Sequence, residues 1–503
     1  MGSRHKSWVI SSSLKRPDRG RRFEPGLAVE RPVLCLLEFS MSYLSPEFAF
    51  TFLVFLILYW SLNRWTTLQK LSLLLASYAI YASLDWRFGA ILAVYTSCML
   101  GLLKWSQSQP QQRKFICGLG IFASVLNLAV FKYFDFCRDG FLAAAEYFKL
   151  SWSIPALDIL LPVGISFYTF QAIAYLVAVA RNEREPAKPL DSALYLAFFP
   201  TLFAGPICRA SDLLVQMEQP QPRKLVQVDL IFWLLISALV KKVWLATWIS
   251  ETWVNPMFAN PDAYQAPELL MGAYAFAIQI YFDFSGYSDL VIAMALLLGY
   301  QLKDNFNFPY LAVNLREFWR RWHISLSSWI RDYVYIPMGG SRGGWWMTQL
   351  TILSSMVISG IWHGSSLKYI IWGALHGLGM VAQNIIEKVL GRQVRGLFSG
   401  IITFHFVCFA WIFFRADGWQ EALNFIRGFG RLDAPMTVDV VGGAALMLLF
   451  FWLSVYAESW KQRSLWLMGR TPALIKPIAL TAIVLLIHLL GPSGVPSFLY
   501  YSY

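Results

Sequence analysis

The chain has 503 residues, of which 57% are hydrophobic and only 14% are charged. Soluble globular proteins usually carry about 25% charged residues, so this composition excludes an ordinary soluble enzyme. A single anchor helix cannot hold such an apolar excess, which must be spread over many buried or lipid-facing segments. The composition therefore predicts a polytopic membrane protein.

The formal net charge is +12, from 42 Lys and Arg against 30 Asp and Glu. In a membrane protein such an excess reflects the basic loops that set orientation. The sequence has no compact Lys/Arg-rich run of the kind that binds phosphate backbones, so nucleic acid is not an expected partner. The six cysteines are scattered, with no CxxC pair and no His at metal-ligand spacing, so we expect apolar filler cysteines and no metal site.

Residues 1–40 carry eight basic and four acidic residues and make a poor signal peptide. We predict a disordered extension or a mis-assigned start, with Met41 opening a single transmembrane domain over 41–503. Several of the apolar stretches that follow are shorter than the roughly 20 residues that a straight span needs. We therefore expect about 10 to 12 spans plus re-entrant or interfacial helices, drawn from stretches near 48–63, 68–84, 88–103, 115–131, 156–180, 191–207, 229–250, 267–282, 286–300, 347–363, 368–387, 398–414, 441–457 and 473–490.

The basic loops predict the orientation of these spans. Lys and Arg cluster after alternate spans, in the connections near 64–70, 104–114 and 181–188, and again near 388–395 and 461–476. Positively charged loops stay in the cytoplasm, so Met41 and the C-terminus are expected on the outer side. Residues 1–40 would then be translocated against this rule, which favours Met41 as the true start.

The most polar part of the interior is the block 305–342. Between Asn314 and Tyr333 its arginines, a histidine and a serine recur every three or four residues, while tryptophans fill another face, a pattern that predicts one amphipathic helix. One interpretation is an interfacial helix with Trp at the headgroup level. The other places the polar face on the wall of an aqueous funnel that holds an anionic donor, with this face formed by Arg316, Arg320, His323, Ser327 and Arg331.

A second element, SGIWHGSSLKYIIWGALHG at 359–377, places His363 at the end of one apolar span and His376 inside the next. A histidine in a membrane helix either hydrogen-bonds a neighbouring helix or marks a functional site, because buried ionisable groups are costly there. Neutral imidazole is a suitable general base for a hydroxyl proton. Gly360 and Gly364 would let backbones approach closely around it.

Two smaller signals are FAGPICR at 203–209 and YFDFSGYSDL at 281–290. Asp283 and Asp289 are six residues apart and cannot share one face of a straight helix. We interpret them either as turn-forming residues around Ser285 and Gly286 or as carboxylates that orient a histidine.

Together, the 305–342 block, the 359–377 element, FAGPICR and DFSGYSDL resemble the membrane-bound O-acyltransferase family, in its bacterial branch for polysaccharide O-acetylation. The resemblance implies an all-α ring of spans around a central funnel in the bacterial inner membrane. It implies His363 as the catalytic histidine and His323 as its partner. The donor-binding candidates are Arg316, Arg320, Arg331 and Trp362.

The reaction that the resemblance implies is transfer of an acetyl group from a cytoplasmic thioester, with acetyl-CoA as donor, to an acceptor outside. The partner is expected to be a periplasmic SGNH-type acetyltransferase that acetylates an exported polysaccharide such as alginate or cellulose. His363 would act as general base, and His323 would either stabilise the oxyanion or orient the thioester. The alternatives are a transporter or flippase with histidines that relay protons, and a membrane scaffold that only recruits the periplasmic enzyme.

Overall fold

The computed structural model describes residues 43–150, 152–155, 161–220, 222–432, 435 and 440–490. These residues belong to one compact unit. The described part of the chain is helical and contains no β-strand, which confirms the all-α prediction. The predicted extension at 1–40 lies outside the described residues.

Eighteen helices follow one another along the described chain. In order they are α1 (Pro46–Ser61), α2 (Thr66–Leu84), α3 (Trp86–Ser108), α4 (Arg113–Tyr147), α5 (Ile165–Ala180), α6 (Pro189–Ala197), α7 (Phe199–Leu202), α8 (Val215–Met217), α9 (Val228–Ala259), α10 (Ala266–Leu297), α11 (Leu315–Arg321), α12 (Ile324–Ile330), α13 (Gly344–His363), α14 (Leu367–Leu390), α15 (Leu397–Arg415), α16 (Trp419–Arg427), α17 (Val440–Arg470) and α18 (Ile475–Leu490).

Many of these helices are long enough to cross a bilayer. Among the described residues, seven helices have the length and apolar character of membrane spans, namely α3, α4, α9, α10, α14, α15 and α17. Three shorter apolar helices, α1, α5 and α18, accompany them. The chain is therefore a multi-pass membrane protein, as its composition predicts. Of the seven, α10 is the most enclosed and forms the centre of the bundle.

Three of the loops predicted to be cytoplasmic, near 64–70, 104–114 and 181–188, meet at one end of the bundle, which we call the basic face. Lys70 at the start of α2 pairs with Asp191 at the start of α6, with 2.7 Å between Nζ and Oδ1. Arg113 at the start of α4 pairs with Glu185 at 2.8 Å. Lys388 near the end of α14 lies over a ring at the start of α13. These contacts agree with the predicted alternation of loops. We call the other end of the bundle the opposite face.

One segment enters from the basic face and turns back within the protein. Helices α6 and α7 are only 9 and 4 residues long and almost entirely buried. At their deep end Phe203 lies against Gly164, which has a φ of 78°. There is no room for a side chain at Gly164, because a Cβ would lie 2.1 Å from the carbonyl oxygen of Leu202. The chain then returns through 204–209. Irregular backbone at this depth is tolerated because protein covers it.

Helix α10 corrects one expectation. It runs without interruption from Ala266 to Leu297, so the predicted turn around Ser285 and Gly286 is wrong. Gly286 instead allows α9 to approach closely, because a Cβ there would lie 3.0 Å from the backbone nitrogen of Lys242. Asp283 accepts a hydrogen bond from Lys242, and Asp289 from Lys241 at 2.8 Å. The two carboxylates therefore tie α10 to α9.

Candidate active site

The helix predicted from Asn314 to Tyr333 is broken in the middle. Helix α11 ends at Arg321 and α12 begins at Ile324, so the prediction of one continuous amphipathic helix is wrong. His323 occupies the break in a left-handed conformation with φ of 41°, which is rare for a residue with a side chain. The break turns the imidazole inward, and His323 is fully buried.

Asn305 holds His323 in this position. Its Oδ1 atom lies 3.2 Å from Nδ1 of His323 and accepts hydrogen bonds from the backbone N–H of Ser325 at 3.1 Å and from its hydroxyl at 2.9 Å. The backbone oxygen of Asn305 accepts from the N–H of Ile324 at 2.9 Å. The backbone and the side chain of Asn305 thus satisfy the first two N–H groups of α12, and the side chain orients the imidazole.

These contacts determine which nitrogen of His323 carries the proton. A backbone N–H can only donate, so the atom of Asn305 that faces Ser325 must be its oxygen. That oxygen can only accept, so a neutral His323 carries its hydrogen on Nδ1 and leaves a lone pair on Nε2. Nε2 has no hydrogen-bond partner within the described chain. His323 is therefore prepared to accept a hydrogen bond or a proton at Nε2.

The second histidine ends helix α13. His363 is 5% exposed, and Trp362 beside it is 6% exposed. Lys132 of α4 reaches this helix end, and its Nζ donates to the carbonyl oxygens of Trp362 at 2.5 Å and His363 at 3.1 Å. The last carbonyl groups of a helix have no partners within the helix and attract positive charge. Lys132 therefore fixes the position of the two residues.

Aromatic packing brings the two predicted histidines to one place. The ring of Trp362 lies 6.4 Å from that of His323 and 4.7 Å from that of His363, measured between centroids. On the far side of His363, Trp372 lies at 5.0 Å and in turn contacts His376 at 5.0 Å. His376 is fully buried, and neither of its ring nitrogens has a hydrogen-bond partner among the described residues.

Two cavities approach this histidine pair. The first, of about 550 Å³, lies toward the basic face and is lined by Arg316, Arg320 and Arg331. The second, of about 180 Å³, is lined by Lys132, Trp362, His363 and the segment that leads into α5 from the opposite face. The structure therefore brings the three predicted arginines together, whereas Trp362 lines the second cavity with His363.

A single helical turn separates the two cavities. Ser359 lines the arginine cavity and His363 lines the second one. Both belong to α13, where four residues span about 6 Å. The two cavities therefore approach each other to within about one helical turn at this point of α13.

The three arginines differ in their partners. Arg316 donates to Asn384 at 2.7 Å and pairs with Glu387 at 3.0 Å. Arg331 pairs with Asp332 at 2.7 Å. Arg320 is exposed in the cavity and makes no ion pair with any residue that the structure describes. Its guanidinium is the one most available to an anionic ligand.

Asp332 anchors the block to the re-entrant segment, since its carboxylate also pairs with Arg209 at 2.5 Å. Burial opposes ionisation of this carboxyl group, but the hydrogen bond from Arg331 and the charge of Arg209 outweigh it and hold the pKa of Asp332 below its usual value of 3.8. The carboxylate is therefore ionised throughout the neutral range.

The interfacial interpretation of this block does not fit its burial. Trp322 and Trp329 are 1% and 6% exposed, and Trp329 stacks on Phe170 with 3.8 Å between centroids. Rings at a lipid headgroup boundary would lie on the surface. Of the polar face that the funnel interpretation places on a cavity wall, the three arginines and Ser327 line the arginine cavity, whereas His323 lines neither cavity.

Sequence reasoning missed two residues of this site. Asn305 lies at the start of the polar block, and only its contact with Ser325, twenty residues later, reveals its role. Lys132 interrupts an apolar helix that is otherwise long enough to span the membrane. A charge within such a helix is a signal of function and could have identified Lys132.

Comparison with known proteins identifies the family of this chain. Residues 38–416 match the model of the membrane-bound O-acyltransferase family. A probable alginate O-acetylase of Pseudomonas aeruginosa is 37% identical over 396 residues, which are 76% of this chain and 73% of that protein. A peptidoglycan O-acetyltransferase of Helicobacter pylori is 32% identical, over 78% of this chain and 81% of that protein. A teichoic acid D-alanyltransferase of Bacillus subtilis is 30% identical, over 50% and 68%.

A multi-pass bundle with a buried histidine pair between two cavities is suited to group transfer within a membrane. The chain belongs to the membrane-bound O-acyltransferase family, in its polysaccharide O-acetylation branch. It is an O-acyltransferase, which confirms the enzymatic interpretation over the transporter.

Proposed function

We propose that this enzyme transfers acetyl groups across the bacterial inner membrane, from acetyl-CoA in the cytoplasm to an acceptor on the outer side, for O-acetylation of an exported polysaccharide. The observation that carries the proposal is the arrangement of the two cavities, which end on either side of one turn of α13. The acetylated polymers named for the bacterial relatives support this substrate class.

The arginine cavity is the entry for the donor in this proposal. Arg320 would bind a phosphate of coenzyme A, because a guanidinium matches phosphate geometry and this one has no carboxylate partner among the described residues. Arg316 and Arg331 add positive charge to the same wall. The predicted donor role of Trp362 becomes specific here: its indole Nε1–H is buried with no partner in the described chain and can donate to the thioester carbonyl.

His363 acts as the general base. Its imidazole removes the proton from an acceptor hydroxyl in the second cavity, the oxygen attacks the thioester carbonyl carbon, and the carbon–sulfur bond breaks. The imidazolium then returns the proton to the departing thiolate, so that CoA leaves as the thiol. Enclosure by the surrounding aromatic side chains keeps water from hydrolysing the donor.

His323 serves as the partner of His363. Because its neutral form carries the hydrogen on Nδ1, Nε2 cannot donate to an oxyanion and is suited to accept a hydrogen bond from substrate. Of the two roles open from the sequence, orientation of the substrate therefore fits better. The acceptor hydroxyl would belong to a periplasmic SGNH-type acetyltransferase, which passes the group to the sugar.

The test compares His363→Gln with His405→Gln, a matched change at an exposed histidine of α15. Purified protein in vesicles receives labelled acetyl-CoA together with the periplasmic acetyltransferase and its polymer, and both CoA release and acetyl esters on the polymer are measured. We expect His363→Gln to lose about 10²–10⁴-fold in rate, the usual contribution of general acid–base catalysis, and His405→Gln to retain full activity. Equal CoA release by both variants would disprove the role of His363, and absence of release in the wild type would favour a recruiting scaffold.

A further inference from the structure

An apolar cavity of about 450 Å³ lies between α9, α10 and α17. It is separate from the two cavities at the histidines. Among its described lining residues Lys241 is the only charged one. Side chains from all three helices line it, including Trp248, Ile278, Phe282, Leu446 and Phe450.

This cavity continues into a polar one of about 340 Å³. The two share lining residues and therefore form one amphipathic space, which we call the α9–α17 cavity. The shared residues are Trp233, Ser237, Lys241, Tyr281, Phe308 and Ala457.

The polar part presents charges of both signs. Lys241 is neutralised by Asp289 at 2.8 Å. Lys461, Asp304 and Glu458 also line this part, and none of the three forms an ion pair with a residue in the described ranges. One cation beside two carboxylates complements a zwitterionic group better than an anionic one.

The polarity changes in the direction that a membrane lipid requires. Helix α10 runs from the opposite face to the basic face; it lines the apolar part with residues 271–282 and the polar part with residues 281–292. Helix α17 runs the same way and changes from Gly443 in the apolar part to Lys461 in the polar part. A phospholipid of the leaflet at the basic face would point its headgroup and chains in these directions.

We propose that the α9–α17 cavity binds one phospholipid of the phosphatidylethanolamine type. Lys461 pairs with its phosphate, Asp304 and Glu458 accept hydrogen bonds from its ammonium group, and one acyl chain occupies the apolar part. Asn305 and Ile324 also line the polar part, so the headgroup lies directly behind the residues that hold His323.

The experiment measures lipid retention and does not depend on acyl transfer. Full-length protein is reconstituted in nanodiscs of equal parts phosphatidylethanolamine and phosphatidylglycerol, released into detergent, and examined by native mass spectrometry. We expect the wild type to retain one phosphatidylethanolamine. Ala457→Trp, which fills the junction of the two parts, should lose it, whereas Ala123→Trp on the exposed side of α4 should retain it.

A second variant tests the headgroup contacts without changing the core. Asp304→Asn combined with Glu458→Gln removes the two exposed carboxylates, and we expect about tenfold weaker retention of phosphatidylethanolamine, because two exposed contacts to the ammonium group, each weak alone, are lost together. Equal retention of both lipids by the wild type would overturn the charge argument. Equal lipid loss in Ala457→Trp and Ala123→Trp, or none in either, would show surface lipid only and overturn the proposal.

Discussion

Asn305 offers the sharpest test of how the site is organised. Replacing Asn305 by leucine removes its Oδ1 atom. This oxygen faces Nδ1 of His323 and accepts hydrogen bonds from the backbone N–H and the hydroxyl of Ser325. The Ser325 hydroxyl lies 3.4 Å from Nδ1 and would then turn to donate to it. Nδ1 would become the acceptor, the hydrogen would move to Nε2, and the lone pair that faces the reaction would be lost.

The contacts that Asn305→Leu removes set the expected loss of stability and the expected loss of rate. The backbone N–H of Ser325 loses its acceptor, and an unsatisfied buried donor costs about 1–3 kcal/mol in stability. Loss of the acceptor that orients the substrate misplaces the reacting groups, which corresponds to about 10²-fold in rate. We expect this loss in kcat with little change in KM for acetyl-CoA, because the arginine cavity is untouched. A carboxylate in Asn305→Asp accepts the same hydrogen bonds and should restore the tautomer, while its charge favours the imidazolium and shifts the pH–rate profile.

The assay combines acyl-transfer kinetics with ¹⁵N spectra of histidine-labelled protein, in which the His323 signal is identified by its absence from His323→Gln. Asn424→Leu on the exposed side of α16 is the matched control and should behave as wild type. Wild-type kcat in folded Asn305→Leu, or a His323 signal that reports a hydrogen on Nε2 in the wild type, would refute this role of Asn305. The spectral result stands independently of whether the enzyme uses acetyl-CoA.

Gly360→Ala should lower the free energy of unfolding by about 1–3 kcal/mol or more, because its Cβ would lie 2.2 Å from a carbonyl oxygen of α14. The Cβ of Gly118→Ala meets nothing within 4 Å, so this control should keep its stability. Equal melting temperatures of the two variants would contradict the close packing at Gly360. Arg320→Ala should raise the KM for acetyl-CoA and leave kcat unchanged. Arg64→Ala, on an exposed loop, should change neither KM nor kcat. An unchanged KM in Arg320→Ala would exclude the phosphate contact. Asp332→Asn should cost about 1 kcal/mol or less near neutral pH. Since the pKa of Asp332 is lowered in the fold, this difference in melting temperature should vanish as pH falls through that pKa, and a difference that persists in acid would show that the ion pair is not its cause.

Hydrophobic segments predicted most of the bundle because lipid exposure leaves few alternatives to a helix. The expectation failed where polar residues interrupt an apolar run. Ser285 and Gly286 look like a turn, yet α10 continues through them. The reason is tertiary: Gly286 permits contact with α9, and the neighbouring carboxylates find lysines on that helix. No local pattern records which helix will supply the partner.

The break at His323 also depends on a tertiary contact that the local sequence does not reveal. Every residue between Asn314 and Tyr333 is compatible with a helix, and the spacing of polar residues favours one. Asn305 provides the N–H of Ile324 and the N–H of Ser325 with acceptors outside the helix, which offsets the hydrogen bonds that the break gives up. The strained histidine is consequently a property of the contact between two segments.

The sequence predicts equal roles for the three arginines, whereas the structure shows that they differ in how available each guanidinium is to a ligand. Arg316, Arg320 and Arg331 repeat on one helical face, so spacing assigns them the same role. Their partners come from elsewhere: Glu387 lies 71 residues after Arg316, and Asp332 neutralises Arg331 while it also anchors Arg209. A guanidinium already paired with a carboxylate must give up that contact to bind phosphate, whereas Arg320 has no such pairing among the described residues. Ligand binding at this wall should therefore depend on Arg320 more than on its two neighbours, and the ratio of their KM effects measures that difference.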